Sequence, residues 1–329
     1  MTRRLQIDVE TWPLSHPLRI SGHSFVELQV IVATLSEGGC QGRGEATGLF
    51  YCNDTPESLV GQIEAARAAV ESGIGREELR YAMPPGSARN AVDCALWDLE
   101  AKLSGKPVWE LAGLPTPAPL LTTYTLGADT PELMAAKARD AYGDAKAIKL
   151  KLLGDAHDAG RVRAVRAARP DVWLGVDANQ GYTAEGLSEL LPILVEADVR
   201  LVEQPCKVGA EDQLAGFNSP IALAGDESVR SLKDIAAVGR FFDLINIKLD
   251  KSGGLTEALL MVEQAHQVGL KVMVGNMGGT SLAMVPALLL GQCCEIVDID
   301  GPLFLASDRK PQISYDRGYV SAPQDIWGW

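Results

Sequence analysis

The stretches AIKLKL at residues 147–152, VWLGVD at 172–177 and VRLVE at 199–203 decide the fold of this chain. Each is a short β-rich run, and each is followed by a helical pattern of about ten to fifteen residues. Eight such runs follow one another, at residues 122–126, 147–152, 172–177, 199–203, 221–227, 244–248, 271–275 and 295–300. Eight strand–helix units within about 200 residues predict an α/β fold with a (β/α)8-type barrel, at the compact end of its size range.

The first hundred residues follow a different pattern. In FVELQVIVATL (25–35) the residues alternate with period two, which predicts a strand in an antiparallel meander. Thr55 and Pro56 are typical of a helix start, and an apolar stripe at helical spacing begins after Ser87. We therefore predict an α+β capping domain at residues 1–113, a catalytic barrel at 114–309, and a tail at 310–329 that returns to the capping domain.

The composition favours small-molecule chemistry. Thirty Lys and Arg residues against 43 Asp and Glu residues give a net charge of −13. Such a surface repels phosphate backbones and anionic lipid headgroups, so nucleic-acid and membrane-surface roles are disfavoured. Residues 1–12 are charged and lack the apolar core of a signal peptide, and the six cysteines lack CxxC spacing. We expect a cytoplasmic protein with reduced thiols.

Charged residues stand at the ends of five successive strands. Lys149 and Lys151 share one face of their strand, and the next four strands close with Asp177, Glu203, Asp226 and Lys248. Barrel enzymes build their sites at this rim. Unpaired ions clustered in a partly closed mouth cost several kcal/mol each, so a purely structural ion-pair ring is the weaker interpretation.

These residue types indicate a particular chemistry. Three carboxylates from adjacent strands suit Mg²⁺, and no histidine or cysteine joins them as zinc would prefer. Lys151 and Lys248 would face two sides of a bound molecule, and the like charge of Lys149 should lower the proton affinity of Lys151. Two opposed bases beside a metal suit abstraction of a proton alpha to a carboxylate, with reprotonation on the opposite face. We therefore predict epimerisation. A barrel that only binds metal would have no use for opposed lysines.

The motifs of this chain resemble those of the enolase superfamily over essentially its whole length. They are KLK at 149–151, VDANQ at 176–180, VEQP at 202–205, GDES at 225–228, IKLDKSGG at 247–254 and the helix ALWDLEAKLSGKPV at 95–108. The resemblance implies that Asp177, Glu203 and Asp226 are metal ligands and that Lys151 and Lys248 are the acid/base pair of the muconate-lactonizing-like branch. Mandelate-type racemases and acid-sugar dehydratases use a histidine on the seventh strand, which KVMVG lacks.

Two further motifs, GNMGGTS at 275–281 and VDIDGPLFLASD at 297–308, look like those of dipeptide epimerases, especially L-Ala-D/L-Glu epimerases of peptidoglycan turnover. By that resemblance Asp298 and Asp300 bind the free α-ammonium of a dipeptide, and the reaction passes through an enediolate. An o-succinylbenzoate synthase or N-acylamino acid racemase of the same branch stays open as the alternative, because its substrate has no free ammonium.

Side-chain specificity is expected from capping-domain loops near residues 14–25 and 48–54. Arg19 is the candidate cation for a glutamate side chain, with His23 behind it, whereas Phe50 and Tyr51 offer aromatic contact, so apolar dipeptides stay open. We count Lys149 among the substrate-binding residues. Asp250 either orients a lysine or pairs with Lys251. By analogy with similar barrels we expect a homo-oligomer.

Overall fold

The N-terminal part of the chain contains a three-stranded antiparallel sheet. The computed structural model describes residues 2–20, 23–323 and 325–329, and for residues 18–20 and 23 it describes only the backbone. The strands β1 (Arg4–Ile20), β2 (His23–Glu37) and β3 (Cys40–Ala46) pair in that order. The predicted meander is therefore confirmed.

Residues 14–25, which we expected to form a loop, lie largely within the β1–β2 hairpin. The pairing runs from Arg4 opposite Ser36 to Pro13 opposite Glu27, and after a register shift it resumes with Leu18 opposite Phe25. The expectation of a loop was wrong because an irregularity in one strand bends a hairpin without ending its ladder.

Four helices follow the sheet in the N-terminal part. They are α1 (Pro56–Glu71), α2 (Arg76–Ala82), α3 (Ser87–Ser104) and α4 (Val108–Leu111). The Thr55 hydroxyl accepts the Ser58 N–H at 3.2 Å and caps α1, and α3 ends at Gly105, whose φ of 67° is left-handed. Both predicted helix starts are confirmed.

Two glycines allow α3 to lie directly on β3. A Cβ atom at Gly42 would lie 2.2 Å from the carbonyl oxygen of Ala95, and one at Gly44 would lie 2.2 Å from that of Ala91. Neither position could accept a side chain without moving the helix. The sequence GRG in β3 therefore sets the distance between helix and sheet.

The remaining chain forms the predicted barrel of eight parallel strands. After the short β4 (Leu120–Leu121), these are β5 (Tyr124–Leu126), β6 (Ala147–Lys151), β7 (Trp173–Asp177), β8 (Val199–Glu203), β9 (Ala222–Gly225), β10 (Leu244–Lys248), β11 (Lys271–Gly275) and β12 (Ile296–Val297). Each strand pairs with its neighbours in sequence order. The ring closes where the Thr123 N–H donates to the Val297 carbonyl at 2.9 Å.

Helices cover most of the barrel. They are α5 (Pro131–Asp140), α6 (Asp158–Ala168), α7 (Ala184–Glu196), α8 (Ile235–Val238), α9 (Leu249–Ser252), α10 (Leu255–Gln267) and α11 (Ser281–Gly291). The long helices expected after β8 and β9 are replaced by a 3₁₀ turn at Glu211–Leu214 and by the four-residue α8 with flanking 3₁₀ turns. In the β8–β9 segment Gly209 and Gly216 adopt left-handed φ angles of 87° and 75°, which a continuous helix excludes.

The C-terminal residues contact both parts of the molecule. The hairpin β13 (Ser314–Asp316) and β14 (Tyr319–Ser321) pairs with β4. Further on, the indole of Trp327 donates to the Arg43 carbonyl at 2.8 Å, and the Gly328 N–H donates to Asp98 of α3 at 2.8 Å. Among the described residues no helix combines the length and apolar character needed to cross a membrane.

Buried polar contacts hold the capping part over the carboxyl-terminal end of the barrel. Arg89 of α3 pairs with Glu257 of α10 at 2.6 Å, and Asp93 accepts the Thr256 hydroxyl at 2.6 Å. These side chains are nearly inaccessible to water. Because a buried charge without its partner is costly, the contacts fix the relative position of α3 and α10.

Candidate active site

Three carboxylates meet at the carboxyl ends of neighbouring strands. Lys151, Asp177 and Glu203 are opposite one another in the register of β6, β7 and β8, and Asp226 directly follows β9. Each of the three acids offers an oxygen within 4.8 Å of those of the other two, and all three side chains are buried. Hard oxygen donors in this arrangement fit a divalent cation such as Mg²⁺.

Each of the two predicted base residues contacts one of these acids. The ammonium nitrogen of Lys151 lies 2.5 Å from Asp177 Oδ2, and that of Lys248 lies 2.7 Å from Asp226 Oδ2. Their strands, β6 and β10, are four positions apart in a ring of eight. The two amines therefore extend from opposite sides of the barrel mouth.

Burial and charge set the protonation of the acids. Burial, aided by the charge of Asp177, raises the pKa of Glu203 to about 7. Burial also opposes ionisation of Asp226, but the ammonium groups of Lys248 and Lys251 outweigh it and lower the pKa of that carboxyl. Carboxylates crowded in this way repel each other, and a divalent cation would relieve the repulsion.

Lys149 lies between the metal-ligand cluster and the last strand. Its ammonium group contacts Glu203 at 3.1 Å and also pairs with Asp298. Burial opposes its charge, but the carboxylates of Asp298 and Glu203 outweigh this and raise the pKa of Lys149. Lys149 also lies 3.8 Å from Asp177 Oδ2, the carboxylate oxygen that Lys151 contacts.

Asp298 and Asp300 follow β12 and lie buried beside β5. The Thr123 hydroxyl donates to Asp298, and the backbone N–H of Thr125 donates to Asp300 Oδ2 at 2.6 Å. Burial and the neighbouring charge of Asp298 raise the pKa of Asp300 to about 6. Asp298 pairs with the Lys149 ammonium, whereas Asp300 accepts hydrogen bonds from the neutral residue Thr125.

A cavity of about 290 Å³ lies between the barrel mouth and the capping part, and its lining includes Lys149, Lys151, Asp226, Lys248, Asp298 and Asp300. Phe50 and Tyr51 line it as predicted, and the rings of Phe25 and Phe50 contact edge to face at 5.5 Å. The backbone of Arg19 pairs with Ser24 in the hairpin, but its side chain and that of His23 lie outside the described residues. Their proposed role in specificity stays a prediction.

Two family models match most of this chain. Residues 3–113 match the mandelate racemase / muconate lactonizing enzyme N-terminal domain, and residues 133–326 match the enolase C-terminal domain-like model. The chain belongs to the mandelate racemase / muconate lactonizing enzyme family. The resemblance to the enolase superfamily is thereby confirmed.

Two proteins of known activity are similar to this chain in sequence. An L-Ala-D/L-Glu epimerase of Escherichia coli strain K12 is 37% identical over 96% of this chain and 98% of that protein. An N-acetyl-D-glutamate racemase of Pseudoalteromonas sp. is 40% identical over 76% of this chain and 79% of that protein.

Solved structures have the same fold. An enolase family member from Agrobacterium tumefaciens with homology to dipeptide epimerases, with bound sodium and L-Ala-L-Glu, has a TM-score of 0.95 and 40% identity, covering 99% of this chain and 100% of that chain. A dipeptide epimerase from Methylococcus capsulatus, complexed with Mg and L-Arg-D-Lys, has a TM-score of 0.91 and 28% identity, covering 100% and 99%.

Several site residues were missed by the sequence analysis. Asn246 donates to Glu203 Oε1 at 2.7 Å, and Lys251 contacts Asp226 Oδ1 at 2.6 Å. Asn246 stands two residues before Lys248 on the same strand face, so period two could have identified it. Neither expectation for Asp250 holds, because Lys251 binds Asp226 while Asp250 accepts the Thr47 N–H at 3.0 Å.

Proposed function

We propose that this chain is a Mg²⁺-dependent dipeptide epimerase that inverts the α-carbon of the C-terminal residue, with L-Ala-D/L-Glu as the first candidate substrate. One observation carries the proposal: three buried carboxylates within 4.8 Å of one another stand between two lysines from opposite sides of the barrel mouth. This arrangement supports proton transfer on both faces of one carbon.

Asp177, Glu203 and Asp226 would hold the metal. Bound Mg²⁺ would supply electrophilic stabilisation to the carboxylate of the substrate. One of the two lysines, Lys151 or Lys248, removes the α-proton from its own face, and the other donates a proton to the opposite face of the planar enediolate. The buried carboxylates around both lysines exclude bulk water and keep each amine at a fixed position.

The free ammonium of a dipeptide fits the carboxylates near β12. Asp300 accepts the Thr125 backbone N–H at 2.6 Å, and Asp298 and Asp300 line the same cavity. The Agrobacterium structure with bound L-Ala-L-Glu and the Escherichia coli epimerase support a dipeptide, and glutamate as its second residue.

A second candidate is racemisation of an N-acylamino acid, or the related o-succinylbenzoate synthesis. The 40% identity to an N-acetyl-D-glutamate racemase favours it. A substrate of either type has no ammonium group, so its turnover should tolerate Asn at Asp300, whereas Asn at Asp298 also removes the carboxylate that pairs with Lys149. Dipeptide turnover should fall sharply in Asp300→Asn, because a neutral amide forms no ion pair with an ammonium.

The deciding experiment is α-proton exchange, measured by ¹H NMR in D₂O with Mg²⁺. L-Ala-L-Glu, other L,L- and L,D-dipeptides, N-acetylglutamate and N-succinylamino acids would be incubated separately with the protein. Exchange confined to dipeptides with a free ammonium supports the epimerase. Exchange confined to N-acyl substrates supports the racemase, and no exchange in any dipeptide refutes the first proposal.

The proposed substrate suggests a cellular role, and similar barrels suggest an oligomeric state. L-Ala-D/L-Glu links the activity to peptidoglycan turnover in the cytoplasm, and we propose that the protein forms a homo-oligomer. Light scattering at micromolar concentration tests the assembly, since a monomeric mass would contradict it.

A further inference from the structure

Gln204, which directly follows the candidate metal ligand Glu203, is fully buried and has an unusual backbone conformation. Its φ angle of 37° is left-handed, which is uncommon for a residue other than glycine. The next residue is Pro205, and a residue before proline usually favours extended backbone. Such a conformation persists only where the surrounding structure holds it, and it is found mostly at functional sites. The contacts that hold Gln204 therefore indicate its role.

The side-chain carbonyl of Gln204 binds the backbone that carries Asp226. Its Oε1 atom accepts the Asp226 N–H at 2.8 Å and the Ser228 N–H at 3.2 Å. In addition, the backbone N–H of Gln204 donates to the carbonyl of Ala224 in β9 at 2.8 Å. Gln204 therefore holds the chain on both sides of the point where Asp226 follows β9.

The backbone carbonyl of Gln204 binds the loop that follows Asp177. It accepts the Gln180 N–H at 2.8 Å, and Gln180 stands three residues after Asp177. Gln180 also has a left-handed φ angle, of 65°. Because Gln204 itself follows Glu203, this one residue contacts the segments that carry all three candidate metal ligands.

The amide nitrogen of Gln204 is anchored in the segment between β8 and β9. It donates to the Ser228 hydroxyl at 2.7 Å and to the Cys206 carbonyl at 2.9 Å. The Ser228 hydroxyl in turn donates to Glu211 Oε1, in the 3₁₀ turn after β8, at 2.6 Å. These bonds occupy both N–H groups of the amide, so they determine that its carbonyl end faces the Asp226 backbone.

We propose that Gln204 is a positioning residue, which fixes the spacing of the three acids by hydrogen-bonding the backbone segments that carry Asp177 and Asp226. The inference rests on the metal site of the proposed function and deepens it. Gln204 itself does not line the cavity, so it acts through the metal ligands. Mg²⁺ demands near-ideal octahedral geometry, and small displacements of its ligands therefore weaken binding. Residues that orient metal ligands are typically worth about 10- to 100-fold in metal affinity.

The test measures Mg²⁺ affinity directly, by isothermal titration calorimetry of each metal-free protein, which requires no turnover. Gln204→Met keeps the length of the side chain but removes its amide. Ser228→Ala is a milder variant that removes only the hydroxyl to which the Gln204 amide donates. Urea unfolding in EDTA measures the stability of each variant without metal.

Gln292→Met is the matched control. The Gln292 amide, just after α11, also accepts one backbone N–H, from Ala118 at 3.2 Å. It donates to the carbonyls of Ala118 at 3.1 Å and Leu288 at 3.3 Å. The control therefore removes a similar set of hydrogen bonds at a position outside the cavity.

We expect Gln204→Met to weaken Mg²⁺ binding by about 10- to 100-fold and Ser228→Ala by about 2- to 10-fold. Gln292→Met should change the affinity by less than about twofold. If Gln204 serves stability alone, Gln204→Met loses unfolding free energy but binds Mg²⁺ as the wild type does, and that result would overturn the inference. Equal weakening in Gln292→Met would overturn it as well.

The remaining outcomes separate this inference from the proposed function. If Gln204→Met does not fold, Ser228→Ala decides, and wild-type Mg²⁺ affinity in that variant would overturn the inference. A wild type that binds no Mg²⁺ would refute the proposed metal site and the inference together. A wild type that binds Mg²⁺ but exchanges no dipeptide refutes the epimerase proposal, while weaker Mg²⁺ binding in Gln204→Met still supports the inference.

Discussion

The ammonium group of Lys248 lies 2.7 Å from Asp226 Oδ2, while Lys251 holds the other oxygen of the same carboxylate at 2.6 Å. One acid therefore links the proposed metal site to a proposed base. Burial opposes the charge of Lys248, but the carboxylates of Asp226 and Glu203 outweigh it and raise its pKa. A divalent cation bound to Asp226 and Glu203 would weaken their attraction for the Lys248 ammonium and so make Lys248 a better base.

Replacing either lysine should remove proton transfer on one face of the substrate α-carbon and leave it on the other. In Lys151→Met and Lys248→Met, we expect epimerisation to fall by about 10²- to 10⁴-fold. Each variant should retain α-proton exchange from only one of the two epimers, because the remaining lysine reaches one face. NMR of both epimers in D₂O measures this, and Lys207→Met, at an exposed position outside the cavity, is the control. Equal exchange of both epimers in either variant would contradict the two-base arrangement.

Gly275 lies at the end of β11, where a side chain would meet the site. A Cβ atom there would lie 2.6 Å from Asn246 Oδ1 and 3.0 Å from Lys248 Cε. We expect Gly275→Ala to displace Lys248, lower kcat by about tenfold or more and destabilise the fold by about 1–3 kcal/mol.

The matched control for this change is Gly61→Ala. Gly61 lies within α1, and a Cβ atom added there would meet no other atom within 4 Å, so alanine should stabilise the helix by up to about 1 kcal/mol. Urea unfolding and steady-state kinetics measure both variants. Unchanged kcat in Gly275→Ala would show that Lys248 tolerates the displacement.

Metal addition should stabilise the protein. The acids Asp177, Glu203 and Asp226 are buried together, and a cation that binds only the folded state raises its stability by RT ln(1 + [L]/Kd). At 100 times Kd this is about 2.7 kcal/mol. Thermal melts with Mg²⁺ and with EDTA test the effect, and Asp177→Asn should reduce the difference. A wild-type melting temperature that does not change with Mg²⁺ would argue against the proposed metal site.

Dipeptide binding should weaken below about pH 6. The pKa of Asp300 is raised to about 6 by burial and by the charge of Asp298, so this acid is ionised above that pH and protonated below it. Only the ionised form attracts an ammonium group, so KM for L-Ala-L-Glu should rise as the pH falls through 6. Asp300→Asn should show a high KM with little of this dependence. A wild-type KM that stays constant from pH 5 to pH 8 would exclude Asp300 from ammonium binding.

Arg309 joins the C-terminal segment to the capping part. Its guanidinium contacts Glu10 of β1 at 2.5 Å and Glu45 of β3 at 2.8 Å, and the side chain of Glu45 is fully buried. Removing one partner of a buried pair leaves an uncompensated charge, so Arg309→Met should cost about 3–5 kcal/mol. The exposed pair Arg163–Glu196 provides the control, and Arg163→Met should cost less than about 1 kcal/mol. Equal losses of unfolding free energy would contradict the prediction.

The strand pattern predicted the barrel because its signals are local. Five successive runs, VWLGVD among them, combine a β-rich segment with a charged end, and parallel strands bring those ends to one rim. The candidate metal ligands and both lysines could therefore be placed from the sequence. The helix expected after β8 was wrong because Gly209 and Gly216 in the connecting segment adopt left-handed φ angles that a continuous helix excludes.

By itself the sequence determined the order of the strands, the rim they share and the residue types gathered there, since these follow from periodicity and spacing along the chain. The tertiary structure decided which charges pair: Lys149 with Asp298, Lys251 with Asp226, and Asp250 with the backbone of Thr47. It also left the Tyr51 hydroxyl without a partner among the described residues. These relations join residues far apart in the chain, and burial and ångström-scale distances, which spacing does not encode, control their energies.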